Sequence, residues 1–301
     1  MSSAKSLAWA MFVSGGTDLS QAAYQLFAPC HLESCVVFAS PHSGREYDQA
    51  FMAQSVLDAR LIRSSEDAFV DLLFDYVPEC GAPLLCAVAP RAYIDLNRDV
   101  TELDPALIEG LRRGGQGGRV ASGLGVIPRV VAAGRAIYSG KMSMKEAQAR
   151  IDRVWHPYHA HLAALMAQAH ARFGRAILLD CHSMPSEALT GIRPRPQIVI
   201  GDRFGASAAG DIVEQVEAAF AGAGFSVARN APFAGAFCVQ HYGRPSRGMH
   251  AIQIEIDRGL YMDESTIRPL AEFEALRERL RAVIAQIARI GSDGVDRLAA
   301  E

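Results

Sequence analysis

AIQIEID, residues 251–257, is the stretch that decides the architecture. Extended chain alternates its side chains between two faces, so Ile252, Ile254 and Ile256 share one face while Gln253, Glu255 and Asp257 share the other. The apolar sequence around it places this strand inside a sheet. A carboxylate in that position costs several kcal/mol unless it is hydrogen-bonded, paired or beside a metal, so Glu255 marks a place where something answers it. Outward from it, short apolar runs at 34–39 (SCVVFA) and 176–179 (AILL) also suit buried strands. The first ends at Pro41-His42-Ser43-Gly44 and the second at Asp180-Cys181-His182-Ser183. Further strands are expected at 84–88, 92–96 and 198–200, and the segments 225–228 and 237–239 admit strands as well. Helices are expected at 143–173, interrupted by Pro157, and at 207–223 and 267–290. Ser64 and Ser65 precede Glu66-Asp67 and then Phe69, Val70, Leu72, Leu73 and Phe74 at helical spacing, which places Asp67 in a first helical turn. Strands alternating with helices predict an α/β fold, a single domain over residues 1–301 with a mostly parallel or mixed central sheet and helices on both faces. Functional groups then gather at strand ends.

Composition narrows the partners. Half of the 301 residues are apolar and the formal charge is −3, the balance of an ordinary globular chain. No apolar run approaches the ~20 residues that span a bilayer, and the longest basic cluster is Arg112-Arg113, so neither a membrane nor nucleic acid is implied. The expected partner is a small molecule. Residues 7–13 are too short an apolar run for a signal peptide and read as the entry to the fold. Six cysteines without a CxxC pair read as reduced thiols of a cytoplasmic protein.

His42 and His182 each follow a buried strand directly. Asp180 and His182 project to one side of their strand and Cys181 to the other, which disfavours a Cys181–His182 nucleophilic pair. Two imidazoles and a carboxylate with an open fourth position form a hydrolytic zinc set, completed by a glutamate acting as general base. Taken alone, Asp67 is an ordinary helix-dipole carboxylate, and His156, His159, His161 and His170 lie on a polar helix where solvation is expected. The glycine-rich segment 114–125 lacks a following Gly-Lys-Ser/Thr and reads as an active-site flap or a surface loop, not a phosphate cradle. Residues 201–205 likewise fail the dinucleotide fingerprint.

Five co-linear motifs carry a resemblance: Pro41-His42-Ser43-Gly44, Tyr93-Ile94-Asp95-Leu96-Asn97-Arg98, Asp180-Cys181-His182-Ser183, His241-Tyr242-Gly243-Arg244-Pro245 and the run from Ile254 to Glu264. Over about residues 35–290 the chain resembles the N-formylglutamate amidohydrolase family, itself similar to zinc carboxypeptidases. The resemblance implies a three-layer α/β/α fold with a mixed sheet and one divalent ion, Zn2+. It implies His42 and His182 as ligands and Glu255 as general base. The implied third ligand is Asp67, with Glu66 as the alternative; Glu46 is weaker because it stands four positions after His42, where the carboxypeptidase pattern needs three. Arg98 with Asn97 resembles the pair that holds a terminal carboxylate, the other reading of Arg98 being a salt bridge to Asp95 or Asp99. Arg258 either holds a second carboxylate or buttresses Asp263 or Glu264. The implied reaction cleaves N-formyl-L-glutamate to formate and glutamate, as in a late step of histidine breakdown. Gln240 stands where many members carry arginine, and residues 184–195 lack the expected aromatic pattern. Another N-acyl amino acid, a small peptide, or a non-catalytic ligand-binding role therefore stays open.

Overall fold

The computed structural model describes residues 23–112 and 117–291. The segment 7–13, expected as the entry to the fold, and part of the glycine-rich segment 114–125 lie outside them. Seven strands form the central sheet: β1 (Tyr24–Phe27), β2 (Val36–Ser40), β3 (Leu84–Ala87), β4 (Ala176–Met184), β5 (Ile198–Gly201), β6 (Val227–Arg229) and β7 (Met249–Asp257). Helices α1 (Gln49–Gln54), α2 (Val70–Leu73) and α3 (Gly118–Ala121) lie in the long connections. Helices α4 (Met144–Arg150), α5 (His156–Phe173), α6 (Gly210–Gly222), α7 (Phe237–Tyr242) and α8 (Phe273–Ala288) follow.

The strands run in the order β1-β3-β2-β4-β7-β5-β6. The centre β3-β2-β4-β7 is parallel, whereas β1 pairs antiparallel with β3 and β5 antiparallel with β7, so the sheet is mixed. Burial on both faces explains why β2 and β4 carry so little polar residue before their last positions. Phe38, Ile177, Leu179, Cys181, Ile252, Ile254 and Ile256 pack against α2, α6 and α8. Val37, Ala39, Leu178 and Ala251 pack on the opposite face against α5 and α7. Three layers result. Alternation then fixes that Asp180, His182, Gln253 and Glu255 emerge on the α5 and α7 face, at the carboxyl ends of their strands.

The order of strands also selects the crevice. From β2 the chain goes to β3 on one side, and from there it crosses to β4 on the other side of β2. The connections leaving β2 and β4 diverge, which opens a gap beyond their carboxyl ends, the usual ligand position in open α/β sheets. His42 and His182 flank that gap.

Four expectations are corrected. Residues 92–96 are turn, not strand: the Tyr93 and Ile94 N–H groups donate back to the Pro90 carbonyl and the Asp95 N–H donates to Val126. The alternating burial of Ala92, Ile94 and Leu96 is real packing without a ladder. Residues 237–239 begin helix α7, whose buried Cys238, Val239 and Tyr242 follow helical spacing; three apolar residues cannot separate the two periods. Asp67 lies in a loop ahead of α2, because Phe69 adopts a left-handed φ of 67° and leaves a single helical turn after it. Pro157 does not break its helix. Residues Ile151–Trp155 form a π-turn in which the His156 N–H donates to the Ile151 carbonyl, so the register is already widened where the proline N–H is missing. No helix among the described residues is long and apolar enough to cross a membrane.

Candidate metal centre and active site

Three chain segments converge above the β2/β4 gap. His42 sits just past β2, where Gly44 lets the loop press against the next strand's exit: a Cβ there would lie 2.1 Å from the Ala89 carbonyl oxygen. The glycine serves this close approach. The Asp67 loop is tied to the same turn, its N–H donating to the His42 carbonyl at 3.0 Å. His182 arrives on β4.

The two imidazole rings lie 4.7 Å apart between centroids, tilted by 60°. Both turn Nδ1 toward Asp67 Oδ2, at 3.3 Å from His42 and 2.9 Å from His182. One ligand atom from each of His42, Asp67 and His182 falls within 4.8 Å of the others, a grouping that could hold a metal ion, and all three residues are buried. The far nitrogens are spoken for. His42 Nε2 donates to Asp95 Oδ1 at 2.7 Å, and His182 Nε2 lies 2.9 Å from Asp180 Oδ2. With a cation at the centre, protons on the two Nε2 atoms, each facing a carboxylate, would leave both Nδ1 lone pairs free to bind it. Such carboxylate–histidine pairs orient metal-binding imidazoles elsewhere.

The electrostatics fit a cation. His42 Nδ1 is buried without a hydrogen-bond partner. Burial pushes the Asp67 carboxyl up, but His182 and His42 beside it and the charge of Arg258 hold it well below the carboxylate range. Burial alone would lower His182, whereas Asp180 and Asp67 raise it well above its ordinary value. Asp67, Asp95 and Asp180 thus demand positive charge, which a dication between two neutral imidazoles would also supply. The donor set of two nitrogens and one carboxylate oxygen suits zinc and its neighbours.

Glu255 stands beside His182 across the β4–β7 register. It accepts from Gln253 Nε2 at 2.8 Å, and burial, aided by Asp67 and opposed by His182, pushes its pKa up to about 7. Asn97 knits this wall together: its Nδ2 donates to Asp180 Oδ2 at 3.1 Å and its Oδ1 accepts from the Cys238 N–H at 2.7 Å. A cavity of about 440 Å³ opens over the three donors, lined by Glu255, Arg91 and Arg98 among others. Arg98 is buried and its Nε has no hydrogen-bond partner; Asp95 Oδ2 lies 3.9 Å away.

The alternatives for a third donor separate cleanly. Glu66 is turned away onto Arg63 and Tyr47, and Glu46 is exposed. Arg258 meets neither Asp263 nor Glu264; its Nη2 donates to Asp67 Oδ1 at 2.8 Å and its Nε to Ser183 Oγ. Cys181 points into the opposite core, as alternation requires. Among the helix histidines expected in solvent, His159 is buried instead, held between Tyr242 and the Leu96 carbonyl. Sequence reading passed over Arg91 and the pairing of Asp95 and Asp180 with the two imidazoles. The Asp180-x-His182 spacing on one strand face was the available signal for Asp180.

The chain is similar to known proteins over most of its length. The N-formylglutamate amidohydrolase family profile matches residues 34–262. A Pseudomonas aeruginosa N-formylglutamate deformylase is 32% identical over 256 residues, 84% of this chain and 90% of that one. A Pseudomonas putida protein of the same name is 27% identical over the same share of each chain. The crystal structure of N-formylglutamate amidohydrolase from Ralstonia eutropha superposes with a TM-score of 0.85 at 36% identity, covering 90% of this chain and 99% of that one. An Agrobacterium tumefaciens structure, TM-score 0.61 at 15% identity, shares the fold. The profile match spans His42, Asp67, His182 and Glu255, and with the 32% and 36% identical relatives it shows that the chain belongs to the N-formylglutamate amidohydrolase family.

Proposed function

We propose that the protein is a metal-dependent amidohydrolase that cleaves N-formyl-L-glutamate to formate and glutamate. The observation that carries this reading is the meeting of His42, Asp67 and His182 at one point with Glu255 in register beside them. When bound there, a divalent cation such as Zn2+ supplies Lewis-acid polarisation of the amide carbonyl and a lowered pKa for water. Glu255, poised near neutrality, takes the proton from the attacking water and returns it to the leaving nitrogen. The water oxygen bonds to the formyl carbon as the carbon–nitrogen bond breaks, and the amine departs neutral. Arg98 offers its guanidinium to the substrate carboxylate next to that nitrogen. Asn97 and Arg258 act from behind, holding Asp180 and Asp67 in place.

Amine release from N-formyl-L-glutamate tests the reading. Glu255→Gln should lower turnover by about 10²- to 10⁴-fold, the span typical of a positioned proton-transfer group, while bound metal stays at the wild-type level. Wild-type turnover in the variant removes Glu255 as the base.

A further inference from the structure

Beyond the metal cavity lies a second one of about 450 Å³, and Arg98, Arg119, Gly235 and Ala236 line both. Its other walls include Arg203, Arg244, His241 and Phe237. Four arginines, Arg98, Arg119, Arg203 and Arg244, stand against two acids, Asp99 and Glu102, so the lining is cationic on balance. Asp99 Oδ1 accepts from the Thr101 N–H and hydroxyl, and Glu102 Oε1 accepts from the Asp99 N–H. Arg244 Nη1 donates to the Gln240 and Gly243 carbonyls, which leaves its charge uncompensated. Arg203 makes no ion pair among the described residues. It is held in a left-handed turn, φ 53°, followed by Phe204 at 57°, where Asn230 Oδ1 accepts from the Asp202 and Phe204 N–H groups. Two such residues in succession are costly and persist where surroundings over-determine them. At the junction of the cavities stands Arg98, 6% exposed, with its Nε unpartnered.

A cavity of 440 Å³ already lies in the range that buries a drug-sized ligand, so a formylated amino acid does not need the second. We propose that the second cavity extends the substrate site and binds a carboxylate carried one residue beyond the first. The enzyme would then take N-formyl acidic peptides as well as the single amino acid, releasing formate and the free peptide by the same hydrolysis. This rests on the amidohydrolase reading above, with the chain leaving the amide nitrogen past Arg98 toward Arg203.

The test compares N-formyl-glutamyl-glycine with its glycinamide, which differs only in lacking the terminal carboxylate, and uses N-formyl-L-glutamate as control. The expected result is a kcat/KM at least about tenfold higher for the acid than for the amide. Arg203→Asn, a residue that tolerates the left-handed turn, should remove that preference while N-formyl-L-glutamate turnover stays within about twofold; Arg203→Lys should keep part of it. Equal rates for acid and amide would overturn the proposal, as would equal losses on dipeptide and amino acid in Arg203→Asn. Calorimetric binding of the two uncleaved dipeptides to Glu255→Gln protein gives a readout independent of turnover. Failure of the control alone would count against the proposed reaction, whereas equal affinities for acid and amide would count against the second cavity.

Discussion

His42 and His182 are fixed by what they do not offer to the centre. Each has Nε2 committed to a carboxylate, Asp95 or Asp180, which leaves Nδ1 aimed inward. Asp180→Asn should therefore leave the fold intact yet weaken divalent metal binding by about 10- to 100-fold, read by competition with a chromogenic chelator. An affinity equal to wild type would show that Asp180 does not orient the ring. Asp180 was legible in the sequence because strand alternation puts it on the face of His182. Asp95 was not, since its contact with His42 spans 53 positions and runs from a turn that imitates a strand. One of the two readings of Arg258, a buttress for Asp263 or Glu264, fails for a related reason: the sequence shows those acidic neighbours, but not the loop that brings Asp67 within 2.8 Å.

At the level of elements, the loop after β2 and the α5–α7 contact position the residues just described. Gly44→Ala would drive a Cβ into the Ala89 carbonyl, and relief must move the backbone that carries His42. A loss of about 1–3 kcal/mol in denaturant unfolding is expected, with a matching fall in metal affinity; full stability would contradict the close approach. Beneath the Leu96–Arg98 turn, His159 lies against Tyr242 and the Leu96 carbonyl, and Trp155 donates to the Arg98 carbonyl at 3.0 Å. Burial lowers the His159 pKa to about 3, and neighbouring His241 and His156 act in the same direction. Between pH 3 and 6.5 the unfolded chain binds a proton there that the folded chain refuses, so this residue's contribution to stability falls as pH falls through that window. His159→Gln should flatten the acid limb of the stability profile between pH 6.5 and 4, by roughly a few kcal/mol at its lower end. An unchanged slope would show that His159 is not held neutral. Helices α5, α6 and α8 and strand β7 were readable from their period, and strands β2, β3, β4 and β5 from buried apolar runs. The segments 92–96 and 237–239 were not, because short apolar runs report burial without reporting backbone geometry.

Across the whole molecule, strand order does what no single motif can. The crossover from β3 over β2 to β4 opens the gap between two strand ends, and His42 and His182, 140 positions apart in the chain (182 − 42), meet there. The α/β class and the alternation that turns Glu255 toward the site followed from residue patterns, and the mixed sheet from the family resemblance; the order of strands did not follow, since it depends on which long connections cross. The same topology sets the second, arginine-lined cavity beside the first, between the α3 segment and α7. The proposed hydrolysis rests on one ion held at the β2/β4 gap by His42, Asp67 and His182. Anomalous-difference crystallography of Zn2+-loaded protein tests it most directly. The account predicts one peak about 2.0–2.2 Å from His42 Nδ1, His182 Nδ1 and an Asp67 oxygen. A fully loaded crystal whose zinc peak lies away from those three atoms would contradict it.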